Sequence, residues 1–208
     1  MLAVLDYGAG NLRSVTRALR QVGCDFEVTS DPKSAAAASG VILPGVGAAA
    51  DAMAGLGNRG LLEPVKDYVR SGRPYLGVCM GLQVLFERSE EDNGTECLDL
   101  YPGEIRRFSD GLHVPHMGWN QVHQRGRVPI LEGVPQDANF YFVHSYHATV
   151  DNHRIVGATT GYGIEFLSVL HDGNIFATQF HPEKSGPAGL RIYANFANLC
   201  GEIAEARI

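Results

Sequence analysis

Cys79 stands between two glycines in Gly77-Val78-Cys79-Met80-Gly81, at the end of an apolar run and the start of a helical pattern. A thiol held at such a strand-to-helix elbow is suited to attack on a carbonyl carbon. The turn forces the side chain outward, the glycines give the backbone room, and the following amide, that of Met80, can donate to an oxyanion. A helix N-terminus also favours thiolate over thiol. Buried cysteines are common in their own right, so the pattern needs a base before it reads as catalysis.

A base is present about a hundred residues downstream, in Gln179-Phe180-His181-Pro182-Glu183-Lys184-Ser185. Pro182 favours an extended backbone, in which residues two apart point the same way, so Glu183 is expected beside His181. A carboxylate there would hold the imidazole in one tautomer and stabilise its protonated form. Alone, His-Pro-Glu reads equally well as a surface turn with an ion-paired glutamate. The order nucleophile, histidine, carboxylate differs from that of α/β-hydrolases and points to another cysteine-hydrolase lineage. A third segment, Gly40-Val41-Ile42-Leu43-Pro44-Gly45-Val46-Gly47, is an apolar strand running into a glycine-rich loop. Its amides can approach a ligand closely and, with Met80, complete an oxyanion hole, although an ordinary βα loop has the same look.

With these pieces together the chain resembles the class I glutamine amidotransferases, whose triad is a Cys in G-x-C-x-G and a His-Pro-Glu. Asp6-Tyr7-Gly8-Ala9-Gly10-Asn11-Leu12, Pro44-Gly45-Val46-Gly47, Gly81-Leu82-Gln83, Pro115-His116-Met117-Gly118-Trp119-Asn120, Phe142-Val143-His144-Ser145-Tyr146 and His181-Pro182-Glu183-Lys184-Ser185 narrow the match. They resemble, in order and over nearly the whole chain, the glutaminase subunits of imidazole glycerol phosphate synthase.

That resemblance implies a flavodoxin-like α/β fold with a central, mostly parallel sheet flanked by helices and an added β-rich part, in one domain spanning residues 1–208. It implies Cys79, His181 and Glu183 as the triad, and Met80, Gly45, Val46 and Gly47 as oxyanion donors. Gln83, His144, Ser145 and Tyr146 then hold L-glutamine, and Asn11, Trp119, Tyr141 and Lys184 lie near a subunit interface and ammonia passage. The implied partner is a (β/α)₈-barrel cyclase subunit in a heterodimer. No metal or organic cofactor is implied. Low activity until the cyclase binds its ligand is a family property, for which a flip of the Gly45–Val46 peptide offers a physical means. The chain departs from the family at Ala9, at Ala48-Ala49-Ala50, where an aromatic is common, and at Glu96-Cys97-Leu98-Asp99-Leu100. None of these touches the triad. A free-standing cysteine hydrolase of another amide or γ-glutamyl bond, or a silent binding module, remains the alternative.

Length and composition are compatible with this. The chain has 208 residues, enough to bury most of its apolar surface in one domain. Its net charge of −6 leaves no footprint for nucleic acid or an acidic membrane surface. The longest uncharged stretch, Ser34 to Ala50, is broken by Gly40, Pro44, Gly45 and Gly47, and no basic leader precedes the first strand pattern, so a cytoplasmic protein is expected. Cys24, Cys79, Cys97 and Cys200 contain no C-x-x-C pair, which fits reduced thiols.

The elements needed to position these groups follow from periodicity. Strands are expected at Leu2 to Asp6, Phe26 to Thr29, Val41 to Leu43 and Tyr75 to Val78, with helices at Leu12 to Val22 and Gly60 to Val69. Leu82, Leu85 and Phe86 recur as one helix face after the elbow. From Gly103 onward strands are expected at Glu104 to Phe108, Phe140 to His144, Ile155 to Ala158, Phe166 to His171 and Asn174 to Thr178, before a last helix from Pro187 to Ala206. Gly8-Ala9-Gly10 is a tight βα turn, since Arg13 takes the place of a third dinucleotide-binding glycine. His113/His116 and His144/His147 have H-x-x-H spacing without the H-E-x-x-H helix pattern that zinc chemistry calls for.

Overall fold

The runs Leu2–Leu5, Gly40–Leu43 and Tyr75–Val78 are buried at every residue, as expected of parallel strands covered on both faces. A computed structural model describes residues 1–8, 11–109 and 111–202. Ala9, Gly10 and the expected last turns of the C-terminal helix, 203–206, lie outside the described residues. In chain order the elements are β1 (Leu2–Leu5), α1 (Leu12–Val22), β2 (Phe26–Thr29), α2 (Pro32–Ala37), β3 (Gly40–Leu43), α3 (Ala49–Asn58), α4 (Leu62–Arg70), β4 (Tyr75–Val78), α5 (Met80–Gln83) and β5 (Phe86–Ser89). They continue with β6 (Thr95–Glu96), β7 (Tyr101–Arg107), β8 (His116–Gln124), β9 (Ala138–His144), β10 (Tyr146–Thr149), β11 (Val156–Tyr162), β12 (Ile164–Asp172), β13 (Ile175–Thr178) and α6 (Gly186–Leu199).

The main sheet has nine strands in the order β2-β1-β3-β4-β13-β12-β11-β8-β9. Its first five strands are mutually parallel and the remainder antiparallel. The β-rich half therefore extends the parallel sheet, and only β10-β7-β5-β6 form a separate four-stranded sheet. Alternate residues of the parallel strands feed two cores. Leu2, Val4 and Ile42 pack with Val15, Leu19 and Phe196 of α1 and α6, whereas Ala3, Leu5, Val41 and Leu43 join Leu56, Val65 and Val69 of α3 and α4.

The elements α2, α3 and β8 were not among the expected ones. Asp31 caps α2 by accepting from the amides of Lys33 and Ser34, with Pro32 at the first helical position. The helix face expected at Leu82, Leu85 and Phe86 does not form. Helix α5 ends after one turn because the carbonyls of Val84 and Leu85 accept from Leu98, Leu100 and Tyr101, and Phe86 begins β5, paired with β7.

The elbow is set by close approach. Cys79 itself takes the strained conformation, φ 53° and ψ −100°, and its amide is pinned to the Thr178 carbonyl at 2.7 Å. A Cβ on Gly77 would lie 2.3 Å from the Gly81 oxygen, and one on Gly81 only 2.0 Å from the Leu43 oxygen. The two flanking glycines thus let α5 sit directly on β3 and β4. Gly81→Ala is expected to lower stability by ~3 kcal/mol through overpacking against rigid backbone. Gly72→Ala, at φ 70° with open space around it, should cost only about 1 kcal/mol, and denaturant midpoints compare the two.

Candidate active site

Three sequence motifs leave the sheet side by side. Strands β3, β4 and β13 are parallel neighbours, with Leu43 opposite Gly77 and Val78 opposite Thr178. The Pro44-Gly45-Val46-Gly47 loop, Cys79 and the Gln179-Phe180-His181 segment therefore emerge at the carboxyl ends of adjacent strands, where α/β sheets place their ligands. Residues 182–184 form a single 3₁₀ turn in place of the extended segment expected around Pro182. The turn still brings the carboxylate back to the imidazole, with His181 Nδ1 at 2.7 Å from Glu183 Oε1 and both side chains inaccessible to solvent.

Glu183 has two further donors. The Asn11 side-chain amide donates to Oε1, and the Tyr193 hydroxyl donates to Oε2 at 3.2 Å. Burial opposes the carboxylate's charge, but the His181 hydrogen bond and charge, followed by its other donors, hold its pKa below the ordinary value. Burial likewise opposes the imidazolium. The charge of the Cys79 thiolate, then its hydrogen-bonding contribution and those of Glu183, overcome this and raise His181 to about 10. His181 Nε2 is buried without a conventional hydrogen bond, so the sulfur acts on it chiefly as a charge. The arrangement supports a thiolate–imidazolium pair backed by a carboxylate, able to add to a carbonyl carbon and protonate a leaving group.

Gln83 is buried in the site. Its Nε2 donates to the Tyr146 carbonyl and to Gln179 Oε1, both at 3.1 Å. Gln179, to which sequence reasoning attached no role, is fully buried and has Nε2 at 3.7 Å from Cys79 Sγ. His144 Nδ1 lies 2.7 Å from the same Tyr146 carbonyl. Ser145 lies between β9 and β10, and its carbonyl accepts from the Phe108 amide at 3.1 Å. On the oxyanion side Met80 is buried, Val46 is half-buried and Gly47 is exposed. A Cβ on Gly45 would lie 2.4 Å from the Tyr7 hydroxyl and 2.6 Å from Met80 Cβ, so the loop packs against both. Burial, and next the charge on Cys79, push the Tyr7 phenol well above its ordinary range. Glu91 was also missed: its carboxylate accepts from the Ala49 amide at 2.8 Å, just beyond the loop.

Residues 3–199 match the family model of class-I glutamine amidotransferases. The chain belongs to the class I glutamine amidotransferases. It is 51% identical over 199 residues to an imidazole glycerol phosphate synthase subunit HisH of Dehalococcoides mccartyi strain CBDB1, covering 96% of this chain and 97% of that protein. It is 49% identical to the subunit of the same name from Moorella thermoacetica, covering 99% and 98%. A solved glutamine amidotransferase superposes with a TM-score of 0.75 at 19% identity, covering 96% of this chain and 98% of that one, which shows the shared fold.

In this amidotransferase three of the residues expected at a subunit interface, Trp119, Tyr141 and Lys184, lie together beside the Pro182–Lys184 turn. Trp119 and Met117 are 59% and 62% exposed. The Trp119 ring meets Tyr141 edge-on at 6.1 Å, and the Lys184 ammonium lies 5.7 Å from the Tyr141 ring centre. The Tyr141 carbonyl accepts from the His181 amide, and the Tyr141 amide donates to the Ser185 hydroxyl at 3.0 Å. Asn11, expected with this group, donates its side-chain amide to Glu183. A cavity of about 600 Å³ lined by Arg125, His147 and Phe166, among others, includes no triad member. Chemistry, more than volume, locates the site.

His116 and His144 are held neutral, chiefly by burial, with pKa values lowered from 6.5 to about 4 and about 3. The unfolded chain therefore takes up protons before the fold does as the pH drops below 6.5, and the stability tied to both histidines, full above that value, is lost toward pH 4. The thermal midpoint is expected to fall across that window. His116→Phe should flatten the slope in melts recorded as a function of pH.

Proposed function

We propose that this chain is the glutaminase subunit of an imidazole glycerol phosphate synthase, a cytoplasmic enzyme acting as one catalytic domain. The observation that carries the reading is the solvent-inaccessible His181–Glu183 pair beside the strained Cys79 elbow. The Cys79 thiolate adds to the side-chain carboxamide carbon of L-glutamine. The amides of Met80 and of the Gly45–Gly47 loop receive the oxyanion. Collapse expels ammonia, which takes its proton from the His181 imidazolium, and leaves a glutamyl thioester. Water, deprotonated by the now neutral His181, adds to the thioester, and glutamate departs as the thiolate re-forms. Every step is carried by groups of this chain. Gln83, His144, Ser145 and Tyr146 hold the substrate.

Ammonia released into water at neutral pH is lost as ammonium, so the product needs an adjacent consumer. The proposed partner is a (β/α)₈-barrel cyclase subunit forming a heterodimer over the Trp119, Tyr141 and Lys184 face. It would use the ammonia to make imidazole glycerol phosphate and aminoimidazolecarboxamide ribotide for histidine biosynthesis. Asn11 is proposed to act from the triad side of that passage, through Glu183.

Glutamate release from glutamine is expected to be weak for the chain alone and strongly raised by the cyclase with its nucleotide ligand. Cys79→Ala should reduce it by roughly a thousandfold or more. High activity without the partner would favour an independent hydrolase and sink the coupled reading. Trp119→Ala should weaken cyclase binding by about thirtyfold, the loss of an aromatic hot spot worth ~2 kcal/mol, as read by calorimetric titration.

A further inference from the structure

Gln179 lies on the nucleophile, and the direction of its amide is fixed by a chain of donors and acceptors. Its Nε2 is 3.7 Å from Cys79 Sγ, while its Oε1 accepts from Gln83 Nε2 at 3.1 Å. Gln83 gives its other amide proton to the Tyr146 carbonyl at 3.1 Å. That carbonyl also requires a proton on His144 Nδ1, 2.7 Å away. A neutral His144 then offers Nε2 as an acceptor, and His116 Nδ1 must donate to it across 2.9 Å. His116 Nε2 in turn accepts from Asn120 Nδ2 at 3.1 Å. The second Asn120 amide proton goes to the Gly161 carbonyl at 3.0 Å, and its Oδ1 accepts from the Gln121 amide at 2.8 Å.

The Tyr146 carbonyl can only accept, so it fixes the Gln83 amide and through it Gln179, and separately fixes His144 and through it His116. Reversing the Gln179 amide would set its oxygen against the sulfur and its NH₂ against that of Gln83. Protonating His144 would set two N–H groups head to head at His116. Burial keeps both imidazoles neutral, as the chain requires.

We propose that Gln179 is a further functional residue of this site, an amide donor that fixes the position of the Cys79 sulfur and favours its thiolate. Gln83, itself oriented by the Tyr146 carbonyl, is the positioning residue that holds that amide in one orientation. The inference rests on Cys79 being the nucleophile, and its test needs no substrate.

The pH dependence of Cys79 alkylation by iodoacetamide, followed on the full chain by mass spectrometry of the Cys79 peptide, reads thiolate formation directly. Thermal melting of each variant accompanies it. His181 and Tyr7 face the sulfur, with Glu183 behind His181, and all three stay intact. Gln179→Leu should raise the alkylation midpoint by about one pH unit, a roughly tenfold slower reaction below it. Gln179→Glu, of the same shape, should raise it further by setting a carboxylate oxygen against the sulfur, and it serves if the leucine variant does not fold. Gln83→Leu, which removes the donor to Gln179 Oε1, should slow the reaction by roughly two- to threefold, whereas His116→Phe, on the far side of the Tyr146 carbonyl, should leave the midpoint unchanged. Unchanged midpoints in the Gln179 variants, or equal losses in Gln83→Leu and His116→Phe, would overturn the proposal. A normal alkylation pattern without glutamate release under any condition would instead defeat the glutaminase reading and leave this one standing.

Discussion

The close approach of α5 to β3 and β4 is the constraint on which the site depends. With no side chain at Gly77 or Gly81, one short turn of helix packs Gly81 against the Leu43 carbonyl and its Gly81 carbonyl against Gly77, and the chain must reverse at Cys79 in a conformation that costs a non-glycine residue about 1–3 kcal/mol. That cost is borne by the surrounding sheet. The Cys79 amide continues the hydrogen bonding between β4 and β13 by donating to Thr178, so the strain is locked in by the same pairing that brings His181 alongside. Parallel register thereby sets the proposed nucleophile, base and oxyanion loop at one level without long-range adjustment of the loops themselves.

Placed there, the ionisable groups sort by environment. The inaccessible His181 and Glu183 each oppose charge by burial and are each charged because of a neighbour. His116 and His144, packed among Phe108, Phe142, Phe166 and Tyr162, have no carboxylate in hydrogen-bond contact among the described residues and stay neutral. Histidines of one site thus carry opposite protonation states. The difference comes from partners and solvation, not from residue type.

The placement of the proposed triad was partly legible in sequence, because the His181–Glu183 contact is local to its motif, whereas the pairing of β4 with β13 that sets Cys79 beside them is not. The first strands and α1 were legible for the same reason: β2, α1 and β4 fall on their expected residues. Failures have physical causes. The inward residues of β8 include His116, Gly118 and Asn120, so its alternation carries no apolar signal. Helix α3 is Ala-Ala-Asp-Ala-Met-Ala-Gly-Leu-Gly-Asn, small residues with little periodic contrast. For α2 a signal existed in the Asp31-Pro32 cap. The helix expected after the elbow lost to tertiary pairing of Phe86 with β7. Gln179 stood next to a quoted motif, yet its function is a direction of hydrogen bonding, set by residues up to 96 positions away, and no spacing rule encodes that.

Strand β8 shows why its polar alternation is useful even though it hid the strand. Successive residues of a strand face opposite ways. Met117 and Trp119 stand outward, well exposed, while His116 is buried and Asn120 half-buried on the other face. The outward pair belongs to the surface proposed to meet the cyclase; the inward pair is hydrogen-bonded, through His144, to the Tyr146 carbonyl that also orients the Gln83–Gln179 pair on Cys79. Any movement of β8 on docking would shift both faces together, because the backbone that carries Trp119 also carries His116 and Asn120. The chain downstream has no slack of the usual kind, since each donor already has its acceptor and reorienting one amide leaves two like groups in contact. On this layout the proposed docking face and the proposed nucleophile need no flexible linker between them. One strand, read from its two sides, connects them.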